Sequence, residues 1–188
     1  MSLPRDIRRL ALLAIYQLDS GSISSDDAPA AALGALGDLE SLESEGLPKP
    51  TGKLTDRDRQ RAAKLAASAW NDRKAADALV LELAPDWPTG RQPIVDRSIL
   101  RIAIFEMTTG ATPPKAAVNE AVELAKQFST EKSPSFINGI LGKILKTVLA
   151  RQDAAAAQIP APDPAAAPAP APAAEPAGPG DARGAGPG

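Results

Sequence analysis

Residues 93–110, PIVDRSILRIAIFEMTTG, constrain the fold more than any other stretch, because they are apolar nearly all the way round a helix. Ile94, Val95, Ile99, Leu100, Ile102, Ala103, Ile104, Phe105 and Met107 leave only a narrow polar strip of Arg97, Ser98 and Arg101. Such a helix sits inside a bundle rather than on its surface, and Gly110 supplies its C-terminal stop. Two more helices follow in residues 113–146. Pro113-Pro114 opens the first, since proline is tolerated where no intrahelical partner exists for an N–H. Val118, Ala121, Val122, Ala125 and Phe128 recur at three- and four-residue steps and form one apolar stripe. Ser133-Pro134 reads as an N-cap followed by proline. Phe136, Ile137, Ile140, Leu141, Ile144, Leu145 and Val148 then make a second stripe. These stripes can be buried only against each other and against the apolar helix before them, which predicts an all-α bundle.

The rest of residues 1–150 fits that bundle. Arg5 to Asp19 reads as a first helix with Ile7, Leu10, Ala14 and Leu18 inward. Arg5, Arg8 and Arg9 crowd its first turns, where the helix dipole disfavours cations. They read either as a cluster awaiting an anion or as ordinary solvated arginines. Residues 20–53 are rich in Gly, Ser and Pro, with one short helix predicted around Leu33, Leu36, Leu39 and Leu42. Thr55 and Asp58 form a capping-box pattern ahead of the next helix. Asn71-Asp72 marks a break, and another helix carries Ala76, Leu79, Val80 and Leu83. Trp70 and Trp87 read as packing residues rather than stacking platforms. After Ala150 the composition changes: residues 160–188 hold nine of the 19 prolines and almost no bulky apolar side chain. Such a segment cannot bury enough surface to offset ordering entropy, so residues 151–188 read as a disordered tail with polyproline II character.

Composition excludes much chemistry. There is no histidine and no cysteine, which removes the commonest general base, the histidine-assisted nucleophiles, thiolate metal sites and disulfides. No catalytic residue, cofactor or metal is therefore expected. No run reaches the ~20 apolar residues of a membrane span and the start carries no secretory signal, which fits a cytoplasmic protein. The net charge of −2 resides wholly in residues 151–188, leaving residues 1–150 neutral. That is not the strongly basic surface of a domain that binds nucleic acid unaided. Any RNA affinity is expected to be local and helped by a partner.

The runs VDRSILRIAIFE, PPKAAVNEAVELAKQF and FINGILGKIL, in this order, together with RRLALLAIYQLD near the start, closely resemble the NusB family of transcription antitermination factors. The resemblance implies about seven helices in two packed subdomains and a non-enzymatic role. It implies pairing with the ribosomal protein NusE, joint binding to the boxA element of nascent ribosomal RNA, and assembly with other Nus factors on RNA polymerase. By position in the motifs, Arg5, Arg8, Lys115 and Phe136 resemble places on the family's RNA surface, with Arg9 added from the arginine cluster. Tyr16 and Asp96 resemble places at the NusE interface. Phe136 has two readings, a base-stacking ring or a core anchor; Tyr16 likewise is an exposed anchor or a buried helix residue. This chain departs from the family's common pattern in three places. Pro4 and Asp6 interrupt the arginine run; EKSPSF stands where EDSHKF is common, making Lys132 a candidate phosphate contact; and Gly142 replaces a frequent aspartate.

Three functions are compatible with such a sequence. The first is the RNA-binding antitermination factor. The second is a helical protein–protein adaptor of the same fold with negligible RNA affinity. The third, a NusB-like domain fronting a ribosomal RNA methyltransferase, is set aside because it needs a catalytic cysteine. The sequence leaves a homodimer of the free protein open. The final stripe makes a direct test of the fold: Ile140→Ala is expected to cost ~2–5 kcal/mol through a core cavity, measured by chemical denaturation. An unchanged midpoint would put that stripe outside the core.

Overall fold

The computed structural model describes residues 5–21, 28–35 and 54–157. Among these residues there are seven α-helices and no strand: α1 (Arg5–Asp19), α2 (Ala28–Ala35), α3 (Asp56–Asn71), α4 (Arg73–Leu83), α5 (Ile94–Thr109), α6 (Pro114–Phe128) and α7 (Ser133–Ala157). A single 3₁₀ turn, Thr89–Arg91, interrupts the α4–α5 connection. Helices α1, α2 and α3 pack on one another, and α5, α6 and α7 form a second group on which α4 leans. Contacts of α1 and α3 with α5 join the two.

Local chemistry sets the helix ends. Thr55 Oγ1 accepts from the Asp58 backbone N–H at 3.2 Å while Asp58 Oδ2 accepts from the Thr55 N–H at 3.1 Å, the reciprocal arrangement the sequence predicts. Gly110 ends α5 in the left-handed region, with φ 71°. Pro113 and Pro114 start α6. Ser133 behaves differently from expectation. It is the first residue of α7, and its hydroxyl donates to Asp96 Oδ2 at 2.8 Å. Helix α7 also passes the compositional boundary at Ala150 and continues to Ala157. Alanine and glutamine are good helix formers, so the helix runs on until the proline-rich sequence begins. The short helix foreseen around Leu33 is α2; its expected continuation through Leu36, Leu39 and Leu42, and the tail beyond Ala157, lie outside the described residues.

Helix α5 is the axis of the fold. Ile99, Leu100, Ile102, Ala103, Ile104 and Met107 are buried, but so are Asp96, Ser98, Arg101 and Glu106. Burying a charge is costly unless it is paired, and each of these charges reaches a different neighbour. Glu106 accepts two hydrogen bonds from Arg8 Nε of α1, at 2.9 and 3.1 Å, and one from the Thr112 hydroxyl at 2.8 Å. Both Arg8 and Glu106 are 1% exposed. Arg8 also donates to Thr112 at 3.1 Å. Toward the other end, Arg101 meets Asp77 of α4 at 2.8 Å and Asp19 of α1 at 3.1 Å. Burial alone would lower the pKa of Arg101, but hydrogen bonds and charge from Asp77 and Asp19 outweigh it and raise the value. Arg97 also pairs with Asp19. Asp96 accepts hydrogen bonds from Ser129 and Ser133 in the α6–α7 turn. Because Arg8 meets the end of α5 and Asp19 its start, α1 and α5 run antiparallel.

Two measurements check this framework. Glu106→Ala removes the nearer of the two carboxylates that pair with buried Arg8, leaving Glu120 at 4.0 Å, and is expected to cost ~3–5 kcal/mol in a denaturant melt. A loss under 1 kcal/mol would show that Arg8 escapes to solvent. Thr55 holds the Asp58 carboxyl below the ordinary carboxylate range, first through its side-chain and then its backbone hydrogen bond. A depressed carboxylate stabilises above its unfolded pKa of about 3.9 and loses that contribution as pH falls through the folded value. Thr55→Ala is therefore expected to lower stability at pH 7 and to show a smaller deficit in acid, where only the loss of the Asp58 N–H cap bond remains. Equal gaps at pH 7 and pH 2 would refute the coupling.

Candidate nucleic-acid interface

The arginines at the start of α1 do not form an open cationic corner. Arg8 is enclosed, as its pair with Glu106 requires. Arg9 is buried as well, with its guanidinium carbon 5.8 Å from the centroid of the Phe128 ring, within cation–π range. Both expectations for this cluster, an anion site or solvated side chains, are corrected at these two residues. The reason is that α1 is enclosed nearly all round from Ile7 to Leu12, so Arg8 and Arg9, which lie between Ile7 and Leu10, enter the interior with it. Arg5 remains exposed but is held by Glu120 of α6 in a two-pronged pair at 3.0 and 3.2 Å. That hydrogen bond and the charge of Glu120 raise the Arg5 pKa.

Lys115 is exposed on the first turn of α6. It and Phe128 are ~20 Å apart along the axis of α6, at a 1.5 Å rise per residue. Phe136 lies beyond Phe128, past the α6–α7 turn. The sequence-predicted RNA residues therefore divide into two groups, with Arg5 and Lys115 toward the start of α6 and Phe136 beyond its end.

Phe136 is half-buried, neither a fully enclosed core anchor nor a fully exposed ring. It packs on the core and it also lines a shallow cleft of about 280 Å³. Trp87 borders the same cleft, with Asp96 and Ser133 buried in its floor and Thr130 and Lys132 at its exposed rim. Asp96 is 4% exposed, and its two oxygens are occupied by Ser129 and Ser133. Its visible effect is to hold the α6–α7 turn, and so to place Lys132 and Phe136. Tyr16 is 41% exposed on the outer face of α1, one turn before Asp19, as an interface anchor requires.

Sequence reasoning missed one member of this surface and one residue beneath it. Trp70 is buried as foreseen, but Trp87 is 41% exposed and stands at the cleft. Its neighbours Pro85, Pro88 and Gly90 exclude it from a helix face, a signal that it belongs to a surface connection. Glu106 was also unanticipated as the partner of Arg8, since the two are far apart in sequence and no local pattern links them.

The sequence pattern of the NusB family matches residues 5–146. The transcription antitermination protein NusB of Roseiflexus sp. (strain RS-1) is 39% identical over 147 residues, covering 77% of this chain and 92% of that protein. The NusB of Symbiobacterium thermophilum is 38% identical over 143 residues, covering 76% and 88%. In fold, the chain is similar to T. maritima NusB, with a TM-score of 0.61, 24% identity and coverage of 78% and 93%. It is also similar to a chain in the crystal structure of antitermination factors NusB and NusE in complex with dsRNA, with a TM-score of 0.56, 21% identity and coverage of 76% and 96%. Both sequence relatives are transcription antitermination proteins by name, and this chain, whose residues 5–146 match the family pattern, belongs to the NusB family.

Proposed function

We propose that this protein binds boxA-like single-stranded RNA of nascent ribosomal transcripts jointly with the ribosomal protein NusE, and so helps to assemble an antitermination complex on RNA polymerase in the cytoplasm. The observation that carries this reading is the family match over residues 5–146, which takes in every described helix contributing to the candidate interface. A relative of the same fold crystallised with NusE and dsRNA supports the choice of partners. Single-stranded RNA is preferred here because Phe136 sits in a cleft. A ring so placed can stack only on a base already out of its duplex.

The exposed cations Arg5, Lys115 and Lys132 contact phosphates, and Phe136 stacks a base. Arg8 and Arg9 act from beneath by fixing α1 against α5 and α6. Tyr16 anchors NusE, and Asp96 keeps the α6–α7 turn in position. With so few phosphate contacts the affinity of the protein alone is weak, and NusE completes the binding surface.

One observation favours the adaptor reading: Arg8 is sequestered by Glu106 and Arg5 is engaged by Glu120, which thins the positive surface. A mobility-shift assay with boxA-like RNA separates the two. The RNA-binding reading expects a shift that strengthens when NusE is added. Stable NusE binding with no RNA shift in either condition would establish the adaptor. Within the first reading, Lys115→Ala and Arg5→Ala are each expected to weaken RNA binding and to reduce the slope of log affinity against log salt by about 0.7, the value for one phosphate of a single strand. Slopes that match the parent protein would show that these side chains do not touch the backbone.

A further inference from the structure

Three large apolar side chains stand exposed among the described residues: Tyr16, Leu81 and Trp87. Trp87 differs from the other two in lying on a short connection, and that connection is tied down. The Trp87 N–H donates to the Ala84 carbonyl at 3.0 Å, and its own carbonyl accepts from Gln92 Nε2 at 2.9 Å. Gln92 is buried, and its carbonyl in turn accepts from Arg97. The indole is thus exposed while the backbone beneath it is fixed, so ordering it on binding costs little.

The surroundings limit what can cover this ring. Trp87 and Phe136 border one cleft whose volume, about 280 Å³, falls just below that of drug-sized pockets. The cleft is open and shallow, suited to a flat group laid against aromatic faces. Lys132 is the exposed charge at its rim, and just outside it the Arg91 guanidinium lies over the Trp87 ring, 5.3 Å from the centroid; the exposed acids Asp86 and Glu131 are chain neighbours of Trp87 and Lys132 but do not line the cleft. The acid in its floor, Asp96, is buried and occupied by two hydroxyl donors. An acidic peptide would satisfy the cations and leave the rings uncovered. A planar base carried on a phosphate backbone satisfies both.

We propose that this cleft is a single-nucleobase site, in which one unstacked base of single-stranded RNA lies against Trp87 and Phe136 while Arg91 and Lys132 hold the adjoining phosphates. The inference rests on the RNA-binding reading above and adds Trp87, Arg91 and a one-base occupancy to it.

The test uses the full chain with NusE and a single-stranded boxA-like RNA. Trp87→Ala is expected to lose about 5- to 100-fold in RNA affinity, the range for one base–aromatic stack, and Trp87→Phe to retain most of it. RNA should quench the tryptophan emission of the parent protein and leave that of Trp87→Phe, which keeps only the buried Trp70, unchanged. Removing bases one at a time should find one position whose loss weakens the parent but not Trp87→Ala. Should Trp87→Ala fail to fold, the emission of parent and Trp87→Phe still decides. Parent-like RNA affinity in Trp87→Ala, or equal quenching in parent and Trp87→Phe, would overturn the site and leave the RNA-binding reading standing. If Trp87→Ala instead weakens NusE binding in the absence of RNA, the cleft is a protein contact and the site is overturned. A parent complex that binds no RNA at all removes both.

Discussion

A charge taken out of water must find a partner, and the central helix of this bundle carries three that are buried and a fourth, Arg97, that is partly so. Asp96, Arg97, Arg101 and Glu106 of α5 are each tied to another part of the chain: the α6–α7 turn, the end of α1, the middle of α4 and the beginning of α1. Apolar packing alone would allow neighbouring helices to slide or rotate against α5 at small cost, because dispersion has little directional preference. Hydrogen-bonded ion pairs do not. They fix which residue of α1 lies beside which residue of α5, and in doing so they fix where the surface residues of α1 emerge.

That requirement governs the relation between framework and surface. Arg8 stands in a motif position that suggests an RNA contact, yet its geometry commits it to Glu106 and Thr112. Arg9 is committed to the ring of Phe128. Of the cations that the sequence placed on the RNA surface, those left exposed are Arg5 and Lys115 toward the start of α6 and Lys132 beyond its end, while other exposed cations such as Arg57, Arg61 and Lys64 lie on α3. This distribution accords with a protein that supplies only part of an RNA-binding surface. Aromatic faces at the cleft, whose stacking is far less sensitive to salt than phosphate contacts are, fit the same division of labour.

Much of the bundle was legible in the chain itself. The all-round apolarity of residues 94–107 announced a buried central helix, and the stripes of α6 and α7 announced the elements that cover it. The Thr55–Asp58 capping box and the Gly110 stop depend on interactions within a few residues, so sequence spacing is enough to find them. The end of α7 was less legible. Composition changes at Ala150, but alanine-rich sequence continues a helix as readily as it fills a tail, and the helix persists to Ala157. Ser133 resembled an N-cap because serine before a helix so often is one. Only the arrival of Asp96 from a distant helix shows what its hydroxyl engages.

The sequence by itself determined the fold class, the family and the identity of the helices, because periodicity and motif order are properties of neighbouring residues. It could not determine which charged residues face inward. Arg5, Arg8 and Arg9 look alike as a string, and they differ only in what the tertiary structure sets against them: Glu120 at the surface, Glu106 in the interior and the face of Phe128 between. The same holds for the two tryptophans. Whether an indole packs or presents a face to a ligand depends on which elements meet around it, and that meeting is between residues far apart in the chain.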